Sequence, residues 1–443
     1  MSLRPQISTD LRPFTLPNVV DPWVEQTLVK DVLKGNINPL SQAVETAKNH
    51  NISQMNDWGV VNANDFLLFV SGMLKWVPSE SCDGKLIYNT LCLFYFILDQ
   101  TPLNSPAFST QILPESAHKP LAPLSDWTVK FAEKVGDWMS TSGSITEKAI
   151  QSFQNSPQYN YDEAVVPPDG WQNFNQLFAR HLKKGMRPIS AGNPNNADYD
   201  RVVVYPADST FDGAWQIDEE EQVNIKGLKW KISELLQSSQ YSSYFKGGIW
   251  MHAFLNTFDY HRQHAPVGGT VVEANVIQSL AYMQVVADED TGELKPHRSC
   301  VSKEPKPTRT HGLFDTLDAP DEAGYQFLQT RGCIIIKNEL LGHVAVLPIG
   351  MAQVSSVKLA WEPTRGEKYP IHPNVKIKKG DEISHFEFGG SDIVLVFQKD
   401  ADIQILGAQG IDANNKITSK QKYLVGMPLG YSTKGLSTMN GKH

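Results

Sequence analysis

Cysteine is scarce in this chain: four in 443 residues, Cys82, Cys92, Cys300 and Cys333, with no CxxC pair. Such spacing excludes a disulfide framework and a thiolate zinc site, and it fits buried thiols in a reducing compartment. A basic excess is also missing. Forty Lys and Arg stand against 48 Asp and Glu, a net charge of -8, which gives no electrostatic footprint for nucleic acid or an anionic bilayer. No apolar run reaches the roughly 20 residues that a membrane-crossing helix needs. The most apolar one, Leu86 to Leu98, has 13 residues and reads as a buried helix. MSLRPQISTDLRPF at the N-terminus has no apolar centre of the signal-peptide kind. A cytoplasmic protein with no transmembrane segment and no nucleic-acid partner is the expectation.

What is present is ordinary globular composition, 41% hydrophobic and 20% charged, with length for two or three domains. Helical spacing dominates the first part. Val24, Leu28, Val32 and Leu33 follow Asp21-Pro22, and Asn64-Asp65 is placed to cap a helix carrying Phe66, Leu67, Phe69 and Met73. Residues 1–110 are expected to form a helical accessory domain, and 111–165 a Pro- and Ser-rich linker followed by a helix. From Phe174 an apolar face predicts a helix that Gly185 ends, just before Arg187-Pro188.

Beyond Asp200 the texture becomes β. Apolar runs at 202–205, 333–336, 343–347 and 351–359 alternate with turn residues, and a long polar stretch covers 288–325. Helices first and strands afterwards predict an α+β fold, with 166–443 as a mostly antiparallel catalytic domain.

Three short stretches carry chemistry. In Gly389-Gly390-Ser391 a hydroxyl follows a residue type that lets a neighbouring group approach the backbone closely. Such a hydroxyl can turn back on the preceding carbonyl, converting the peptide into an ester. His261 and His264, three apart, with His252 upstream, have the residue type of metal ligands. Pro266 and Gly268-Gly269 disfavour a helix there and no nearby acid completes a ligand set, so a general base is the better reading and no metal is expected. Asp208, at the end of an apolar run, is either a turn residue or a carboxylate that orients a histidine.

Pro206-Ala207-Asp208, Asp259-Tyr260-His261-Arg262-x-His264-x-Pro266 and Phe388-Gly389-Gly390-Ser391, in this order, resemble the phosphatidylserine decarboxylase family of pyruvoyl enzymes. FNQLFARHLKKGMRP at 174–188 and Ile225-Lys226-Gly227 extend the likeness. The resemblance implies that Asp208, His264 and Ser391 form a triad driving self-cleavage between Gly390 and Ser391. Ser391 would become a covalent pyruvoyl cofactor, and His261 would serve proton transfer in decarboxylation. The two fragments would stay associated, and the substrate would lose its carboxyl as carbon dioxide through an imine.

Asp392 departs from the Thr or Ser usual in that family after the cleavage serine. It is expected at the substrate, repelling a carboxylate or contacting an amine, or else slowing maturation. The layout resembles family relatives that decarboxylate free amino acids, so a free, aromatic L-amino acid is expected as substrate. Phosphatidylserine is the alternative, and a non-processed binding module of the same fold is the rival reading.

Overall fold

The structure, a computed structural model, describes residues 12–225, 228–237, 239–287, 294–296, 324–352, 357–361, 373–406 and 421–436. Most of the polar stretch 288–325, with Cys300, and residues 226–227 of the Ile225-Lys226-Gly227 motif lie outside these. The fold is α+β, and the chain divides into two compact units. One comprises Met1–Gln111, Pro120–Arg180 and Leu280–His297. The other comprises Ile112–Lys119, His181–Ser279 and Arg298–His443.

Helices build the first unit. Leu86–Leu98 is buried along nearly its whole length, as its unbroken apolar sequence predicts. Phe94 from this helix stacks on Phe131 at 5.0 Å and on Phe66 at 6.2 Å, and Trp127 packs on Phe131 at 5.1 Å. The helix Ala63–Met73 is capped by Asn62 rather than by Asn64. Asn62 is extended and accepts from the Asp65 N–H, while the Asp65 carboxylate returns to the Asn62 N–H, a capping box. Among the described residues no helix is long and apolar enough to cross a membrane.

The helix that opens at Phe174 is shorter than its apolar face suggests. It covers Phe174–Phe178 and ends where Ala179 leaves helical angles and Arg180 turns inward to donate to the Tyr159 carbonyl at 2.9 Å. Gly185, with φ +90°, belongs to a later turn that delivers Arg187.

An eight-stranded antiparallel sheet organises the second unit. Its order is Val375–Ile377, Gly269–Ile277, Arg331–Asn338, Gly342–Met351, Gly390–Phe397, Ile249–Leu255, Ser209–Gln216 and Lys422–Tyr423. The run Ile393 to Phe397 is fully buried, so this strand is apolar towards both faces of the sheet. The segment expected as one strand over 351–359 contributes to two, Gly342–Met351 and Val357–Leu359. A smaller sheet joins Val357–Leu359, Glu382–Phe386 and Arg262–His264. It brings the histidine-bearing segment against the strand that leads into Gly389.

Candidate active site

Ser391 stands second in the strand Gly390–Phe397, paired with Gly350 on one side and Leu255 on the other. Gly389 just before the strand has φ +146°, a backbone angle that suits glycine and sets the turn into it. The hydroxyl is fully buried, and its Oγ lies 3.4 Å from Nδ1 of His261. The other ring nitrogen of His261, Nε2, is 3.2 Å from the Thr257 carbonyl oxygen. A carbonyl only accepts, so Nε2 carries the proton and Nδ1 is left to accept from the serine. The ring is itself fully buried, with the Phe386 ring edge-on to it at 6.5 Å between centroids.

His264 makes a different set of contacts from those the sequence suggests. Its Nδ1 is 2.8 Å from the Gly380 carbonyl and its Nε2 3.0 Å from the Tyr260 hydroxyl. The first contact makes Nδ1 the donor, so Nε2 accepts from the phenol. Burial holds this imidazole below its ordinary pKa, against the opposing pull of the Gly380 carbonyl and the Glu382 and Asp208 carboxylates. The ring nitrogen presented to the serine hydroxyl therefore belongs to His261, where the family resemblance implies His264. The two imidazoles diverge because His261 precedes the short strand Arg262–His264 and follows a tight turn. In that turn the Asp259 carboxylate accepts from the Asn256 N–H at 2.8 Å.

Asp208 is 2% exposed. It is held by Arg187, whose Nε lies 2.8 and 2.9 Å from the two carboxylate oxygens and whose second amino nitrogen lies 2.6 Å from one of them. The Val425 N–H adds a further bond at 2.9 Å. Asp208 thus reaches His264 through its charge rather than by a hydrogen bond. The segments themselves are adjacent, since the His264 N–H donates to the Pro206 carbonyl at 2.7 Å.

Successive residues of a strand face opposite sides of a sheet, and Asp392 accordingly points away from the Ser391 hydroxyl. Expected at the substrate, Asp392 is instead fully buried, with its carboxylate engaged by the Tyr325 hydroxyl and by Nε2 of His252.

Sequence reasoning missed Thr257, whose carbonyl fixes the His261 tautomer; a main-chain acceptor leaves no mark in a sequence. Arg187 was also missed, although its place beside Pro188 after a helix end was a usable signal. Lys422, which pairs with buried Asp259, gave none.

A buried hydroxyl after a Gly-Gly turn, 3.4 Å from an imidazole nitrogen, suits attack by a serine on its own preceding carbonyl. These residues fit the in-chain origin of a pyruvoyl group at position 391.

Comparison with known proteins points the same way. The phosphatidylserine decarboxylase family profile matches residues 174–430, more than half of the chain. Phosphatidylserine decarboxylase proenzyme 2 of Oryza sativa subsp. japonica is 28% identical over 365 residues, covering 81% of this chain and 47% of its own length. This chain thus spans about half the length of that plant relative. Phosphatidylserine decarboxylase proenzyme of Myxococcus xanthus is 27% identical over 260 residues, 57% of this chain and 79% of the relative. The proenzyme of the same name from Fusobacterium nucleatum is 26% identical over 285 residues, 64% of this chain and 79% of the relative.

Proposed function

Because this chain belongs to the phosphatidylserine decarboxylase family, we propose that it is a self-processing carboxy-lyase that removes the serine carboxyl of phosphatidylserine. The single observation carrying this reading is the 3.4 Å approach of the buried Ser391 hydroxyl to His261 Nδ1, one residue past Gly390.

His261 takes the hydroxyl proton as Oγ bonds to the Gly390 carbonyl carbon. The peptide nitrogen of Ser391 leaves that carbon and gains a proton, so an ester replaces the peptide. Loss of the Ser391 α-proton then breaks the Cβ–Oγ bond, and the Gly390 carboxylate departs. Water replaces the nitrogen at the α-carbon and ammonia leaves. The pyruvoyl group so formed at 391 supplies an electron sink for the pair released when carbon dioxide departs. The chain's own residues do the rest: Thr257 holds the His261 tautomer, and Tyr260 and Gly380 orient His264. A neutral, buried imidazole is suited to hold or return a proton where the carboxyl was lost.

The names of the relatives favour phosphatidylserine over the free aromatic amino acid suggested by the domain layout. Phosphatidylserine liposomes, tryptophan, tyrosine and serine offered separately, with amine products followed by mass, test the substrate. Phosphatidylethanolamine from the liposomes alone is expected. Product from a free amino acid alone overturns the lipid assignment, and an uncleaved chain releasing no carbon dioxide supports the binding-module reading.

A further inference from the structure

A second cluster of ionisable groups lies behind the first, on the opposite face of the same strand. Nε2 of His252 is 3.2 Å from Oδ2 of Asp392, and its Nδ1 is 2.8 Å from Oδ2 of Asp212. The Tyr325 hydroxyl donates to the Asp392 oxygen that His252 faces, and the Gln326 side-chain amide nitrogen lies 3.0 Å from the same Nε2. His252 and Asp392 are fully buried, Asp212 is 2% exposed and Tyr325 5%. Three strands and one short 3-10 turn, Tyr325–Phe327, supply these side chains.

The backbone is adapted to the cluster. Pairing of Ser209–Gln216 with Ile249–Leu255 runs Phe211 to Ala253 and then Gly213 to His252, so Asp212 is the extra residue of a bulge. A bulge re-aims a side chain at the expense of one ladder position. Here it turns a carboxylate onto His252. Two carboxylates and one imidazole in so dry a place persist only when paired. Burial opposes charge on His252, but the Asp392 and Asp212 carboxylates outweigh it and raise its pKa.

We propose that Asp212, His252, Asp392 and Tyr325 form a buried anchor that fixes residue 392, holding Ser391 on His261 before cleavage and residue 391 in place afterwards. The inference rests on self-cleavage at 390–391. After cleavage, residue 391 is a chain end, and chain ends fray unless tied down. Asp392 is the first side chain past that end and is joined to it by a single amide. Its ties reach two elements directly, through His252 and Tyr325, and a third through His252 to Asp212, so the anchor restrains the new terminus from the face opposite the reaction. Catalysis is sensitive to small displacements of reacting groups, and losing the anchor costs rate by positioning rather than by chemistry.

The precursor, made by cell-free synthesis in the cold, is followed on denaturing gels from pH 6 to 9. Tyr325→Phe, Asp392→Asn and His252→Gln are compared with Val396→Ala, a buried change on the same strand outside the cluster. Asp392→Asn and His252→Gln are expected to slow cleavage about tenfold to a hundredfold, and Tyr325→Phe, the mildest change, by less. Val396→Ala, matched for thermal midpoint, is expected to cleave near the wild-type rate. The wild type is expected to slow as the pH rises past the elevated pKa of His252, and His252→Gln to lack that decline. The groups facing this ring are Asp212, Asp392, Tyr325 and Gln326, and none of the other three variants removes the ring itself. Cluster variants that cleave no slower than Val396→Ala, or a His252→Gln profile matching the wild type, overturn the anchor alone. A wild-type precursor that never cleaves overturns self-processing and the anchor with it.

Discussion

Nδ1 of His261 faces Oγ of Ser391 at 3.4 Å, while Nε2 of the same ring is occupied by the Thr257 carbonyl. This one relationship gives the imidazole a defined tautomer and the hydroxyl a proton acceptor. The contact is long for a hydrogen bond of this type, and catalytic contacts tighten when the reaction geometry forms.

Removing the base is therefore expected to stop maturation. His261→Gln should slow the appearance of fragments by about 10²–10⁴-fold, whereas His264→Gln should slow it far less. Half-times of the precursor on denaturing gels distinguish the two. The reverse order would mean that His264, as the family resemblance implies, is the base in cleavage.

Asp208 contributes through Arg187. Asp208→Asn leaves a guanidinium that is only 10% exposed without its carboxylate. Breaking a buried pair by removing one partner costs about 3–5 kcal/mol. A clear fall in thermal midpoint should follow, partly relieved in the double variant Asp208→Asn/Arg187→Met. A double variant as unstable as the single one would contradict the pairing account.

Cleavage should not release the smaller piece. Its first strand lies inside the eight-stranded sheet between Gly342–Met351 and Ile249–Leu255, and Pro428–Ser432 lies between Val202–Val204 and Ile403–Ile405. Lys422 also pairs with Asp259 across the two pieces. Gel filtration of cleaved protein in native buffer should give one peak holding both fragments, with separation only in denaturant. Two native peaks would contradict this.

Acid should loosen the small sheet beside the site. His385, on Glu382–Phe386, has its pKa pushed down to about 3 by burial first and then by Arg262, Lys358 and His181. An unfolded histidine binds its proton near pH 6.5. Between about 3 and 6.5 the unfolded chain therefore holds the extra proton, and stability falls as the pH falls through that window. His385→Gln should flatten this part of the curve in urea melts. An unchanged slope would show that His385 is not its source.

The parts of the fold legible in the sequence are those where one local pattern settles the structure. Leu86–Leu98 is apolar at nearly every position and can only be buried. Val394 to Phe397, unbroken apolar with two β-branched residues and an aromatic one, fits an inner strand. The helix at 174 failed because its end depends on Arg180 reaching Tyr159, a contact 21 residues away that no periodicity records. The candidate site divides in the same way. Gly389, Ser391 and the two histidines stand out by residue type. Which imidazole meets the serine depends on the turn at Asn256–Asp259 and on the register shift between Glu382 and Ser384, where the pairing with Arg262–His264 slips. The Asp212–His252–Asp392 cluster hinges on a bulge, and an extra residue is invisible until its partner strand is known.

A backbone break between Gly390 and Ser391 underlies every step above, and the intact mass of the purified protein reads it out. The account predicts two species, residues 1–390 and a 53-residue piece (443 − 390) starting at position 391. The smaller should carry a blocked terminus that reacts with a hydrazine, and Ser391→Ala should give a single chain. One intact 443-residue species from the wild type, with no carbonyl to label, would contradict it.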